Sequence, residues 1–212
     1  MRLILGRHGN TFEPQDPVVW TGATNDLPLA SKGWEQADRL ARALAERSIS
    51  LTAIYSSSLK RTRDYAGRVA ERVSFHDPLL VDARLHEVDY GEWTGLTQEQ
   101  VAERFGAVDQ EAWNEHSVWP RNGGWKNTEK EVMSDAQSFA QDLSRKYATH
   151  DNLLVISSNG KLRYFLSLIE GEWEARKRQG AFKVKTGHVC DLRFDNGRWM
   201  LAAWDISPDK LG

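Results

Sequence analysis

The chain has 212 residues, 40 % of them apolar and 27 % charged, with six histidines and a net charge of −2. This suits one substantial hydrophobic core, and a single domain over residues 1–212 is expected. So weak a net charge gives no general attraction to nucleic acid or to an anionic membrane, so neither is an expected partner. Any anion site must be a local concentration of positive charge.

In chain order, Leu3, Ile4 and Leu5 read as a buried strand that stops at Arg7-His8-Gly9-Asn10-Thr11. Open α/β sheets place ligands at the carboxyl ends of their strands. A cation and a potential nucleophile delivered there, beside a glycine, suit phosphoryl chemistry. Ser31 is the expected cap of a helix through Trp34, Ala37, Leu40, Ala41 and Leu44. Leu51–Tyr55 reads as a strand and Ser58–Arg72 as a basic helix, with Arg61 at a start where free backbone N–H groups favour anions. His86 to Leu96 alternates carboxylates with apolar residues, and one of those carboxyls can serve as a general acid.

Thr97 with Gln100, and Thr128 with Glu131, are capping-box signals for helices near 97–105 and from 128 through Leu143. Between them, segment 106–127 mixes Trp113, Trp119 and Trp125 with Pro120, Gly123 and Gly124, a composition that fits a loop or lid. Leu153–Ile156 is a second buried strand, running into Ser157-Ser158-Asn159-Gly160 and a helix ending near Ile169. Val189–Phe194 and Trp199–Trp204 flank Asp195-Asn196-Gly197, a hairpin signal. Strands alternating with helices imply an α/β fold.

Cys190 is alone and cannot pair within the chain. Arg7 interrupts the first apolar run, no stretch approaches a membrane span, and a cytoplasmic setting is expected. The histidines and carboxylates show no ligand-like spacing, so no metal and no cofactor are expected.

Taken in order, Arg7-His8-Gly9-Asn10-Thr11, Asn25-Asp26-Leu27-Pro28-Leu29 with Gly33 and Gln36-Ala37, Tyr55–Thr62, and Leu85-His86-Glu87 with Tyr90-Gly91 resemble the histidine phosphatase superfamily. This is the phosphoglycerate-mutase-like group, whose signature is Arg-His-Gly near the N-terminus. The resemblance runs over nearly the whole chain. It implies a three-layer α/β/α sandwich with a mostly parallel central sheet, and metal-independent phosphomonoester hydrolysis of a small phosphorylated metabolite. His8 would become a transient phosphohistidine, Arg7 and Arg61 would bind the nonbridging oxygens, and Glu87 would act as acid and then base. Gly9, Asn10, Thr11, Ser158 and Asn159 would line the phosphate site.

The family also expects a second histidine after the later buried strand, and here Ser158 stands at its position. His188, in Lys185-Thr186-Gly187-His188, either reaches the pocket and supplies the lost donor or caps a loop. The alternatives to an active phosphatase are an impaired relative that binds a phosphorylated ligand or a protein partner, and a phosphoglycerate-type mutase. Both monomer and homodimer are compatible with the sequence.

Overall fold

The computed structural model describes all 212 residues. Six strands make one sheet in the order β3-β2-β4-β1-β5-β6. They are β1 (Arg2–Arg7), β2 (Ala53–Ser56), β3 (Leu80–Val81), β4 (Asn152–Ser157), β5 (Val189–Asp195) and β6 (Arg198–Ile206). The first four run parallel, whereas β5 is antiparallel to both β1 and β6.

The central strands are apolar on both faces because both faces are covered. Ile4, Ile54, Leu154 and Ile156 pack against α1 (Ser31–Glu46) and α2 (Lys60–Arg72). Leu3, Leu5, Tyr55, Leu153 and Val155 pack against α5 (Glu129–Lys146), which follows α3 (Gln98–Phe105) and α4 (Ala107–His116). The result is the expected three-layer α/β/α sandwich.

Both capping boxes form: the Thr97 and Thr128 side chains accept from the backbones of Gln100 and Glu131 and are answered by those side chains. At the hairpin, Asn196 and Gly197 have φ of +48° and +78°, the left-handed pair that a tight two-residue turn requires.

Three expectations need correction. Ser31 is not the helix cap: Ala30 holds that place, and the Ser31 amide and hydroxyl both donate to Glu13 Oε1 at 2.7 and 2.8 Å. A distant carboxylate therefore caps the helix. Segment 106–127 is not all loop, since α4 occupies its first half. The helix after β4 breaks early. α6 is only Asn159–Leu162, a tighter helix covers Arg163–Leu168, and α7 spans Glu172–Gln179. No helix is long and apolar enough to cross a membrane.

Candidate active site

The register places Arg7 beside Ser157 and Ser56 beside Ile156, so β1, β4 and β2 end together at one edge of the sheet. His8 continues from β1 with its backbone N–H donating to the Ser157 carbonyl at 3.1 Å. The residue is 5 % exposed. Nδ1 lies 2.8 Å from the Gly9 carbonyl, and Arg61 Nε donates to His8 Nε2 at 3.2 Å. A carbonyl can only accept and a guanidinium can only donate. Nδ1 therefore carries the proton, and Nε2 presents a lone pair. Burial, then the charges of Arg61 and Arg7, push the imidazolium pKa well below its ordinary value, so the ring is neutral.

Gly9 is required by close packing. A Cβ there would stand 2.5 Å from the Cα and carbonyl oxygen of Gly33, in the first turn of α1. The loop is braced further on: Asn10 N–H donates to Gln36 Oε1 at 2.8 Å, Gln36 Nε2 donates to the Thr186 carbonyl at 3.0 Å, and Thr186 Oγ1 donates to Asn10 Oδ1 at 2.6 Å. Thr11 follows, half-buried.

Arg61 enters from the first turn of α2 and is fully buried. Its terminal nitrogens donate to the carbonyls of Asn25 and Gly22 at 3.1 and 2.7 Å. Arg7 donates to the Val184 carbonyl at 2.7 Å, and its buried Nε has no partner. Both guanidiniums are thus held by carbonyl oxygens and keep their full charge. Glu87, 8 % exposed, accepts from its neighbour Val88 N–H at 2.9 Å and from Gly160 N–H at 3.2 Å. Gly160 leaves room for this: a Cβ would fall 2.4 Å from both Glu87 Oε1 and the Tyr90 hydroxyl.

Ser158 is 1 % exposed, and its hydroxyl has no hydrogen-bond partner. Asn159 Oδ1 accepts from Val184 N–H at 2.8 Å, tying α6 to the segment that holds Arg7. The His188 Nδ1 lies 2.9 Å from Asp205 Oδ1, and no hydrogen bond joins its ring to His8. Its backbone does serve the site, because the His188 carbonyl accepts from Arg7 N–H at 3.0 Å.

Sequence reasoning did not anticipate the Gln36–Thr186–Asn10 brace. Arg163 is fully buried and stacks 4.1 Å over the Trp113 ring. The segment after α4 docks on the loop that carries Glu87. Glu92 N–H donates to the Gly123 carbonyl at 2.8 Å, and the Tyr90 ring lies 4.8 Å from Trp125 and 5.0 Å from Trp20. An aromatic block thus walls the site on that side.

A neutral imidazole, two arginines held by carbonyl oxygens and one carboxylate thus meet at the carboxyl edge of the sheet. The model of the histidine phosphatase superfamily, branch 1, matches residues 3–207. The chain belongs to that superfamily. Among its relatives, glucosyl-3-phosphoglycerate phosphatase of Mycobacterium tuberculosis (strain ATCC 25618 / H37Rv) is 31 % identical over 221 residues, covering 97 % of this chain and 95 % of the relative. The 2,3-bisphosphoglycerate-dependent phosphoglycerate mutase of Rhizobium etli is 33 % identical over 125 residues, covering 58 % of each. The solved structure of the mycobacterial glucosyl-3-phosphoglycerate phosphatase with VO3 superposes with a TM-score of 0.80 at 25 % identity, covering 97 % of this chain and 99 % of that one.

Proposed function

We propose that this member of the superfamily is a metal-independent phosphomonoesterase that works through a phosphohistidine on His8. The observation that carries the reading is the hydrogen-bond pair on the imidazole, Gly9 carbonyl on Nδ1 and Arg61 on Nε2, which leaves a neutral ring with its lone pair at Nε2. Nε2 attacks phosphorus, and the bond from phosphorus to the ester oxygen breaks. The phosphoryl oxygens replace Nε2 as the acceptor for Arg61, and Arg7 binds them from the other side. Donors placed where charge develops are the largest source of acceleration in such transfers.

Glu87 gives its proton to the leaving oxygen. It then takes one from the water that attacks the phosphohistidine, releasing phosphate and restoring both groups.

The substrate on this reading is a small phosphorylated metabolite, as the name of the mycobacterial relative supports. Ser158 stands where the family has its second histidine. A neutral hydroxyl replaces a charge-assisted donor there, and loss of one transition-state donor slows turnover by about 10²–10³. That residue alone favours a second reading, a phosphate-binding protein of little turnover. An intact His8, Glu87, Arg7 and Arg61 favour catalysis, since a pure binder has no use for both nucleophile and acid.

The test is phosphate release from p-nitrophenyl phosphate in EDTA by the wild-type protein and by His8→Ala. Release lost in the variant supports the reading; no release from the wild type on this ester or on a panel of phosphorylated metabolites moves it to the binding protein.

A further inference from the structure

Arg163 lies just behind the site, three residues after Gly160, and is 1 % exposed. Its charge has no carboxylate partner. One terminal nitrogen donates to the Trp113 carbonyl at 2.8 Å, and its Nε has no partner at all. The flat guanidinium faces Trp113 at 4.1 Å and Phe182 at 5.8 Å. Trp113 sits in the last turn of α4, where the helix dipole and the free carbonyls favour a cation. Aromatic faces and a helix end make the buried cation tolerable without neutralising it. A carboxylate partner would have cancelled its field; these hosts leave it intact.

Trp113 in turn packs edge-on against Tyr90, with ring centroids 6.0 Å apart, and the Tyr90 hydroxyl and Glu87 Oε1 share the space over Gly160. Tyr90 and Glu87 border the phosphate pocket, and the guanidinium lies behind them across the Trp113 ring. A purely apolar residue would fill the space between Trp113 and Phe182 without the desolvation of an ion.

We infer that Arg163 is a positioning residue of this site, whose unneutralised charge acts from behind Tyr90 and Glu87 to strengthen the hold of Arg7 and Arg61 on the phosphoryl group. The inference rests on the phosphatase reading for its chemistry, but it is measured by binding of inorganic phosphate, which needs no turnover.

The experiment is titration calorimetry of inorganic phosphate with wild type, Arg163→Lys, Arg163→Met and Arg163→Gln, each scaled by its folded fraction from thermal unfolding. Methionine keeps the apolar bulk, glutamine keeps a donor for the Trp113 carbonyl, and lysine keeps the charge. Loss of the charge is expected to weaken phosphate binding on the order of tenfold in Met and Gln, with Lys close to wild type. If Met fails to fold, Gln against Lys makes the same comparison.

Equal affinity in all folded variants, with only Tm altered, means that Arg163 is structural and overturns the inference. Equal loss in Lys and in Gln assigns the effect to the stack and also overturns it. Phosphate binding by the wild type with no hydrolysis of any ester sinks the phosphatase reading while leaving the Arg163 comparison decisive.

Discussion

Arg61 Nε stands 3.2 Å from His8 Nε2 and donates to it, while the opposite ring nitrogen is taken by the Gly9 carbonyl at 2.8 Å. One contact thus does two jobs: it fixes the tautomer of His8 and, in the mechanism we propose, keeps a cation where the phosphoryl oxygens would arrive. The distance is short enough that neither residue can be altered without disturbing the other.

Arg61→Lys is accordingly not a conservative change. A single ammonium cannot donate to His8 and to the Gly22 and Asn25 carbonyls in one plane. Turnover of p-nitrophenyl phosphate is expected to fall by about 10²-fold or more, with phosphate inhibition weakened in parallel. An Arg61→Lys enzyme with wild-type kcat and phosphate affinity would remove Arg61 from the mechanism.

Glu87→Gln separates acid catalysis from binding. Glutamine keeps one acceptor oxygen, enough for the Gly160 N–H though not for the Val88 N–H as well, and has no proton to give, so phosphate affinity is expected to be retained. Turnover is expected to fall by about 10²–10⁴ on an alkyl phosphate, and by less on p-nitrophenyl phosphate, whose leaving group needs little protonation. Equal losses on both esters would mean that Glu87 does not protonate the leaving oxygen.

Gly160→Ala inserts a methyl carbon at the point 2.4 Å from both Glu87 Oε1 and the Tyr90 hydroxyl. The carboxyl must move, so kcat is expected to fall at least tenfold, the scale of a misplaced catalytic group. Circular dichroism of the variant checks that the fold survives. Wild-type turnover in Gly160→Ala would contradict the placement of Glu87 against α6.

The histidine also leaves a mark on stability. Burial and two arginines depress its folded pKa well below the ordinary value near 6.5. Between those two pKa values the unfolded chain holds a proton that the folded chain lacks, so stability rises with pH. No His8 penalty exists above the unfolded value, and it grows as pH falls below about 6.5, at up to about 1.4 kcal/mol per pH unit. Urea unfolding across this range should show that slope in wild type, reduced by about one proton in His8→Gln. Identical slopes in the two proteins would mean that His8 is protonated in the folded state.

What the sequence disclosed follows the reach of each signal. The Arg7-His8 pair at the end of an apolar run, the Asn196-Gly197 turn and the capping boxes at Thr97 and Thr128 are local patterns, and each formed where its residues place it. The brace from Gln36 through Thr186 to Asn10 spans 176 positions at its widest, and Glu13 caps a helix 18 positions away. No local pattern announces contacts of that kind. α4 escaped notice because its polar and apolar residues show little helical segregation, with Val108 79 % exposed and only Trp113 buried. His188 shows the limit most clearly. Its place just before β5 was legible, but the turn of its ring toward Asp205 depends on a residue 17 positions on.

The central claim is the covalent step, and the most direct test is to mix the protein with p-nitrophenyl phosphate, quench in base within the first turnovers, and map the phosphorylated peptide by mass spectrometry. The account predicts a phosphoryl group on His8, stable in base and lost in acid, and absent from His8→Ala. Phosphate release by an active enzyme with the group on another residue, or undiminished release by His8→Ala, would contradict it.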